Sequence, residues 1–133
     1  FEEFLANPHG RYAVVQDGGR LVGCGGYVTG REGKNARLVW GMIAPDCHGR
    51  GLGRLLALTR LRWIAALEGV ERVSLDTSQK TAGFYLLFGF GPAKVVHDGY
   101  GPGLDRVDME LALDANAREI LTGGATQRDA HIA

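Results

Sequence analysis

The segment with the clearest capacity for chemistry is a glycine-rich loop, HGRGLG at residues 48–53, between an apolar segment and a leucine-rich run. A helix N-terminus presents unpaired backbone N–H groups and a partial positive charge, so it can hold a phosphate. Gly49, Gly51 and Gly53 lack the Cβ atoms that would keep a phosphate away from these amides. Arg50 and Arg54 add charge suited to a pyrophosphate or a 3′-phosphate. The pattern predicts a phosphate-bearing ligand at a helix start.

Three designs for binding phosphate compete for this loop. A Walker loop is excluded, because it requires a lysine and none lies between Ala36 and Gln79. A dinucleotide-binding loop has the pattern Gly-x-Gly-x-x-Gly close behind a strand, with an acidic residue at the end of the next strand. Asp76 fits the acidic position, but position 54 is arginine and the loop after Ala44 is too long for this pattern. The third design is the pattern Gln/Arg-x-x-Gly-x-Gly/Ala behind a strand. Residues 48–53 match this pattern except at the first position, which is His48. A plain turn before a structural helix is the remaining interpretation, since the chain has 21 glycines.

A second motif, AGFYLLFGF at residues 82–90, follows after one predicted strand. Tyr85 precedes Gly89 and Phe90 by four and five residues. Through these two motifs, in this order, residues 11–113 resemble the GNAT superfamily of acyl-CoA-dependent N-acyltransferases, whose usual loop is V-x-P-x-x-R-G-x-G-x-G. Two departures stand out. His48 replaces the usual Arg or Gln, and the first strand and helix of the family fold are expected to precede Phe1.

The resemblance implies where a cofactor would lie. A pantetheine arm would occupy a gap between the strand before the loop and the strand after the long helix, pairing with the free edge of LVWGMIA. Backbone N–H groups there would polarise a thioester carbonyl. Tyr85 occupies the family's general-acid position and would protonate the departing thiolate. The implied cofactor-binding residues are Gly41, Met42, Ile43, His48, Gly49, Arg50, Gly51, Leu52, Gly53 and Arg54.

The general base is left open. Many family members use a glutamate on the strand before the glycine loop, but ARLVWGMIA contains no carboxylate. Asp76, at the end of the next strand, is the first candidate, followed by His97 and Asp98 on a predicted hairpin near the cleft. Each has a structural alternative: Asp76 as a helix N-cap or turn residue, and His97 as a surface strand residue.

The expected function is N-acetyl transfer from acetyl-CoA to a primary amine of a small molecule or peptide, by direct attack and without a metal. The alternative is a catalytically degenerate protein of the same fold that binds CoA as a sensor or partner module. The presence of Tyr85 favours the enzyme, and the missing strand carboxylate favours the sensor. A nucleotide-dependent oxidoreductase is the third hypothesis.

Composition narrows the class of protein. The 133 residues suit one domain, and 15 basic residues balance 15 acidic ones, which argues against nucleic acid or an anionic membrane as partner. No apolar run approaches the roughly 18 residues that span a bilayer. Cys24 and Cys47 fit no disulfide or metal spacing, and no signal peptide is visible, so we expect a cytoplasmic protein, which could form a homodimer.

The predicted strands and helices indicate an α/β (α+β) fold. The resemblance implies that it is the GNAT fold: a mixed, mostly antiparallel sheet splayed at the cofactor cleft, with flanking helices. FEEFLAN is predicted to be the tail of a helix. The long helix is predicted from Gly51 to Glu68, with a packed stripe formed by Leu52, Leu55, Leu56, Thr59, Trp63 and Leu67. Residues 1–114 would form one N-terminally incomplete acetyltransferase domain, followed by a short helix and a flexible tail over 115–133. The predicted strands are RYAVVQD, LVGCGGYVTG, ARLVWGMIA, RVSLDTS, AKVVHD and RVDMELAL.

Overall fold

The structure is a computed structural model that describes residues 2–7, 10–44, 46 and 51–124. Its strands are β1 (Glu2–Asn7), β2 (Gly10–Asp17), β3 (Arg20–Thr29), β4 (Asn35–Ile43), β5 (Arg72–Ser78), β6 (Gly91–Gly101) and β7 (Leu104–Ala112). Its helices are α1 (Leu52–Ala65), α2 (Ala82–Leu86) and α3 (Ala115–Glu119), the last continued by a π-helical turn, Ile120–Gly124. The described strands form one sheet in the order β1-β2-β3-β4-β5-β7-β6.

All neighbouring strands in this sheet are antiparallel except β4 and β5, which are parallel. Parallel strands need a crossover connection, and α1 provides it. The parallel ladder is short: it pairs residues 35–37 of β4 with residues 72–74 of β5, although both strands continue further. The sheet is therefore joined at one end of this strand pair and opens at the other.

The main hydrophobic core lies between α1 and the sheet. Leu61 and Ile64 of α1 are almost completely buried and belong to one cluster with Val73 of β5 and Met109 of β7. Residues on alternate positions of a strand face opposite sides of the sheet, so Val73 and Leu75 share the α1 side. The same packing that forms the core thus fixes the position of α1 beside the open end of β4 and β5.

The prediction that FEEFLAN is the tail of a helix is wrong. Residues 2–7 form β1, which pairs antiparallel with β2 from Asn7 opposite Gly10 to Glu2 opposite Val14. A helix this short is marginal by itself in water, whereas the outer edge of β2 offers backbone partners along its length. Strand pairing therefore outweighs the local helix propensity.

The segment after β7 packs on the rest of the chain. Leu121 is 8% exposed and belongs to the main core cluster. Arg118 of α3 donates hydrogen bonds to the carbonyls of Ala65 (2.6 Å), Leu67 (3.0 Å) and Val70. The Ala65 carbonyl is at the end of α1, where a helix lacks internal partners, and the other two carbonyls belong to the segment between α1 and β5. Residues 125–133 of the predicted flexible tail lie outside the described residues.

The predicted fold class is confirmed: a mixed sheet with flanking helices. Within the part of the chain that the structure describes, no helix has the length and apolar character needed to cross a membrane.

Candidate active site

A cavity of about 520 Å³ lies where β4 and β5 separate. Four elements contribute to its wall: the end of β4, the first half of α1, the end of β5 and the short helix α2. These elements are brought together because α1 connects β4 to β5 and α2 follows β5 directly. The lining residues are Gly41, Met42, Ile43, Gly51, Gly53, Arg54, Leu56, Arg60, Thr77, Thr81, Phe84 and Tyr85.

The start of α1 lies at this cavity. Gly51 is the N-cap residue, its φ is +77°, and as a glycine it has no side chain that could cap the helix. A φ in this range favours glycine, because a Cβ atom would be strained there. The first turn carries no acidic residue. The N–H groups and the positive end of the helix dipole are therefore available to an anion in the cavity.

Gly53 lies between two apolar walls of the cavity. A Cβ atom at this position would contact Phe84 at 3.8 Å and Ile43 at 3.9 Å. The predicted residues Gly41, Met42, Ile43, Gly51, Gly53 and Arg54 all line the cavity. Leu52 does not, because it packs against a second apolar cluster formed by Val15, Val22 and Leu56. His48, Gly49 and Arg50 lie outside the described residues.

The edge of β4 that lines the cavity contains a β-bulge. Met42 pairs with Cys24 of β3, and Val39 pairs with Gly26, so three steps along β4 correspond to two along β3. The extra residue of a bulge is left out of the ladder and turns its backbone groups in a new direction. The family resemblance implied that N–H groups near Gly41 would polarise a thioester carbonyl, but the sequence gave no sign of the bulge.

Tyr85 is held in the wall of the cavity by aromatic packing. Its ring contacts Phe84 edge-on, with centroids 5.1 Å apart, and Phe90 edge-on at 5.9 Å. Gly89 ends the helical segment with a φ of +94°, and Phe90 N–H donates to the Tyr85 carbonyl. The AGFYLLFGF motif therefore fixes the ring from two sides and leaves the phenol at the cavity.

Arg60 is a second polar residue in the same wall, and the sequence did not reveal it. It lies in the middle of α1 and is only 3% exposed. The buried positions of α1 are Leu56, Ala57, Arg60, Leu61, Ile64 and Ala65, so the packed stripe is rotated from the predicted one. The sequence feature that could have indicated this burial is a pair of glycines on neighbouring strands, Gly25 of β3 and Gly41 of β4. A Cβ atom at these positions would come within 3.2 Å and 3.1 Å of the guanidinium.

The environment of Arg60 combines burial with long hydrogen bonds. Its guanidinium donates to the carbonyls of Leu56 and Gly26, both at 3.4 Å. Burial lowers the pKa of the Arg60 guanidinium from its usual value. The neighbouring Tyr85 phenol, through its charge and a side-chain hydrogen bond, and then Cys24 partly offset this lowering of the pKa.

Asp76 lies on the other face of the sheet from Tyr85. Leu75 of β5 is in the core and Thr77 lines the cavity, so the intervening side chain points away from both. The carboxylate pairs with Arg37 through Oδ1 and accepts a hydrogen bond from the Tyr100 hydroxyl through Oδ2. Asp76 is thus neither a helix cap nor a residue of the Tyr85 cavity.

The contact with Asp76 affects the pKa of Tyr100. Desolvation, the hydrogen bond to Asp76 and the charge of Asp76 together raise the pKa of Tyr100 to about 12. The surrounding face forms a separate cavity of about 460 Å³, lined by both acidic and basic groups. Its lining residues are Arg37, Ser74, Leu75, Asp76, Arg106, Asp108, Met109 and Glu110.

The other two base candidates lie on β6 and are not part of the lining of the Tyr85 cavity. His97 is on β6, its side chain is 86% exposed, and it lies 3.4 Å from Asp98 and 3.2 Å from Asp105. The Asp98 carboxylate accepts a hydrogen bond from Gly103 N–H at 2.8 Å, and the Asp98 N–H donates to Asp105 at 2.9 Å. These bonds close the loop between β6 and β7, which gives Asp98 a structural role. Neither His97 nor Asp98 lines the cavity.

Comparison with known proteins agrees with this geometry. Residues 1–90 match the family described as the acetyltransferase (GNAT) family. No curated protein sequence matches the chain.

Solved structures share the fold at low sequence identity. A GNAT-family protein from Desulfovibrio desulfuricans is 24% identical, with a TM-score of 0.65 over 80% of this chain and 71% of that one. An aminoglycoside 6′-N-acetyltransferase complexed with coenzyme A is 15% identical, with a TM-score of 0.70 over 81% of this chain and 75% of that one. The ribosomal-protein-S18-alanine N-acetyltransferase from Escherichia coli is 19% identical, with a TM-score of 0.70 over 82% and 72%.

Proposed function

Since the chain belongs to the GNAT acetyltransferase family, we propose that it transfers the acetyl group of acetyl-CoA to a primary amine of a small molecule or peptide. One observation supports this most directly. A single cavity brings together a helix start with glycine as its N-cap, a bulged strand and the Tyr85 phenol. We assign these as an anion site, a carbonyl site and a proton donor, which would assist acyl transfer from a thioester of coenzyme A.

The cofactor would be held mainly by backbone. The N–H groups at the start of α1 and the Arg54 side chain suit the pyrophosphate of coenzyme A. The part of β4 that lines the cavity, from Gly41 to Ile43, suits the amides of the pantetheine arm, because an extended ligand can pair with the edge of a strand. His48, Gly49, Arg50 and Leu52 complete the set that we assign to the cofactor, with Leu52 contributing only its backbone N–H at the start of α1.

Tyr85 would act at the reacting end. A primary amine attacks the thioester carbonyl, whose oxygen gains negative charge that N–H groups at the β4 bulge can stabilise. Collapse of this species expels a thiolate, which takes the phenolic proton of Tyr85. The ring is fixed by Phe84 and Phe90, so the hydroxyl is positioned before the substrate arrives.

The acceptor amine would approach from the face that carries Asp76. The two N-acetyltransferases compared above act on an aminoglycoside and on a protein alanine, which are a small-molecule amine and a peptide amine. Asp76 remains our candidate base, acting through water rather than by direct contact, because Arg37 and Tyr100 engage its two oxygens. Substitution of Asp76 by Asn tests this role, and turnover within about threefold of the parent would exclude it.

A CoA-binding module without catalysis is the second candidate. It is favoured by the chemistry of the cavity lining, which contains no carboxylate among the described residues. Two measurements on the same protein separate the candidates: calorimetric binding of coenzyme A, and release of free thiol from acetyl-CoA in the presence of amines. The enzyme gives both signals, and the module gives only the first. Failure to bind coenzyme A, or stronger binding of NAD, would contradict both.

A further inference from the structure

The cavity wall holds a buried charge that has no acidic partner. Arg60 is only 3% exposed, and a guanidinium placed away from water is normally paired with a carboxylate. Among the residues that the structure describes, no acidic group forms an ion pair with Arg60, and none lines the cavity. Its hydrogen bonds to the carbonyls of Leu56 and Gly26 are both long, at 3.4 Å. The folded chain therefore holds this charge at a cost in stability.

The charged end of Arg60 lies against the part of β4 that lines the cavity. A Cβ atom built on Gly41 would meet Nη2 of Arg60 at 3.1 Å and Nη1 at 3.3 Å. A Cβ atom built on Gly25 of the neighbouring strand would meet the guanidinium carbon at 3.2 Å. A side chain at either glycine would compete with the guanidinium for the same space. The two glycines therefore leave room at the cavity wall for a charged group.

A phosphate at the start of α1 is too far away to be the partner of this charge. Nine residues separate the N-cap residue Gly51 from Arg60, which places Arg60 roughly 13 Å further along the helix axis at about 1.5 Å per residue. Arg60 instead lies beside Gly41, in the part of β4 that we assign to the thioester. A ligand anion that meets the guanidinium there belongs to the acyl end of the cofactor.

We propose that the cavity also accepts the coenzyme A thioester of a short dicarboxylic acid, whose free carboxylate pairs with the Arg60 guanidinium. This inference rests on the proposed acyltransferase function and adds a second class of acyl donor to acetyl-CoA. A planar guanidinium can donate two parallel N–H bonds to one carboxylate, and such bonds are stronger than those to neutral carbonyls. The ligand thus supplies the acidic partner that the described part of the chain does not.

The transfer step is the same as for an acetyl group. A bond forms between the amine nitrogen and the thioester carbon, the C–S bond breaks, and the proton lost by the amine ends on the thiol of coenzyme A. The distal carboxylate is unchanged, so the product is an amide that carries a free carboxylate. Acylation therefore changes the charge of a protonated acceptor from positive to negative, whereas acetylation only removes the positive charge.

Calorimetry on the parent tests the recognition without turnover. Succinyl-CoA and butyryl-CoA have acyl chains of the same length, which end in a carboxylate and in a methyl group. The parent should bind succinyl-CoA at least about tenfold more tightly than butyryl-CoA, because a hydrogen bond between charged groups contributes about that factor or more. Arg60→Met should bind the two thioesters within about twofold of each other. This variant should fold with an unchanged or higher melting temperature, since loss of a buried charge relieves desolvation.

Steady-state kinetics with one accepted amine separates this role from two others. Recognition of the acyl carboxylate requires that Arg60→Met lower kcat/KM for succinyl-CoA by about 10- to 100-fold and change that for acetyl-CoA less than about twofold. Direct stabilisation of the reacting carbonyl oxygen would lower kcat equally with both donors. A purely structural role would leave the ratio of the two kcat/KM values unchanged. Arg54→Met, at the phosphate end of the same lining, is the control and should weaken both thioesters alike.

Equal affinity of the parent for succinyl-CoA and butyryl-CoA would overturn the proposal and leave acetyl transfer intact. Equal losses with succinyl-CoA and acetyl-CoA in Arg60→Met would do the same. A parent that binds no coenzyme A thioester would overturn both this proposal and the proposed function. If Arg60→Met does not fold, Arg60→Lys takes its place: it keeps the charge but not the planar fork, so the preference for succinyl-CoA should fall. An unchanged preference in Arg60→Lys would contradict the pairing.

Discussion

Arg37 of β4 and Ser74 of β5 form the last paired rung between the two parallel strands of the sheet. Beyond this rung β4 continues to Ile43 and β5 to Ser78, with the cavity between them. The described ladder does not pair the two strands with each other across this gap, and buried backbone N–H and C=O groups require partners. An extended ligand with its own amide groups satisfies this requirement, which is why the splay favours a pantetheine-bearing cofactor.

The first prediction concerns the helix start. Gly51→Val should weaken coenzyme A binding at least tenfold, about 1.4 kcal/mol, because the side chain enters open cavity space beside the first amides of α1. Isothermal calorimetry measures the change. Gly33→Val is the matched control: Gly33 has a φ of +70°, open space around it and no place in the cavity lining. It should lose comparable stability and keep parental affinity, and equal affinities in the two variants would contradict the assignment.

The second prediction concerns the general acid. Tyr85→Phe keeps the ring and its contacts with Phe84 and Phe90 but removes the hydroxyl. Turnover should fall by about 10²- to 10⁴-fold, with coenzyme A affinity and melting temperature unchanged. Steady-state kinetics and calorimetry check this together. Tyr12→Phe, outside the cavity, should remain as active as the parent. A Tyr85→Phe variant with near-parental turnover would show that the proton comes from another donor.

The third prediction concerns Tyr100. Because the pKa of Tyr100 is raised to about 12, only about one tenth of this phenol should be ionised at pH 11, against about nine tenths for an ordinary phenol. The ultraviolet absorbance of phenolate in the parent, minus that in Tyr100→Phe, measures this fraction. Asp76→Asn removes one cause of the raised pKa and should increase the fraction. A nine-tenths value in the parent would contradict the contact with Asp76.

The same shift has a consequence for stability. The unfolded chain releases the Tyr100 proton near pH 10, whereas the folded chain retains it to about pH 12. Between these values the folded state binds more protons, so this group's contribution to stability falls as the pH rises through the window. Chemical denaturation at pH 9 and pH 11 should show a smaller decrease for Tyr100→Phe than for the parent. An equal decrease in both proteins would contradict the shift.

The fourth prediction concerns Arg118. Arg118→Met removes donors from the carbonyls of Ala65, Leu67 and Val70. It should lower the free energy of unfolding by about 1–3 kcal/mol, because partly buried carbonyls lose their partners. Denaturant titration measures this. Arg72→Met is the control, since Arg72 is half exposed and 4.0 Å from Glu110, and it should cost less than about 1 kcal/mol. Equal losses of unfolding free energy in Arg118→Met and Arg72→Met would show that these hydrogen bonds of α3 contribute little to stability.

Much of the fold follows from local sequence. RVSLDTS forms β5 at the predicted residues, and the DGGR turn joins β2 to β3 with positive φ at Gly18 and Gly19. α1 begins at Leu52, with the predicted first residue Gly51 as its N-cap, and it ends at Ala65, before the predicted Glu68. Tyr85 lines the cavity, a position that the family resemblance implied once its spacing to Gly89 and Phe90 had been matched.

The rest depended on tertiary contacts. β1 forms because β2 has a free edge, which no property of residues 2–7 specifies. Arg60 is buried because Gly25 and Gly41, on β3 and β4, leave space for its guanidinium. The helical pattern of the sequence alone would place an arginine on the exposed face of α1. The face of Asp76 could have been predicted from strand alternation with Leu75, but its pairing with Arg37 and Tyr100 required the sheet order.

The central claim is that this chain acetylates amines from acetyl-CoA in the cavity between β4 and β5. The most direct measurement is the release of free thiol from acetyl-CoA with a panel of an aminoglycoside, a polyamine and an N-terminal alanine peptide. Mass spectrometry of the products identifies the acetylated amine. We predict amine-dependent thiol release with an acetyl group added to at least one amine, and its loss in Gly51→Val. Coenzyme A binding with no amine-dependent thiol release across the panel would contradict the claim.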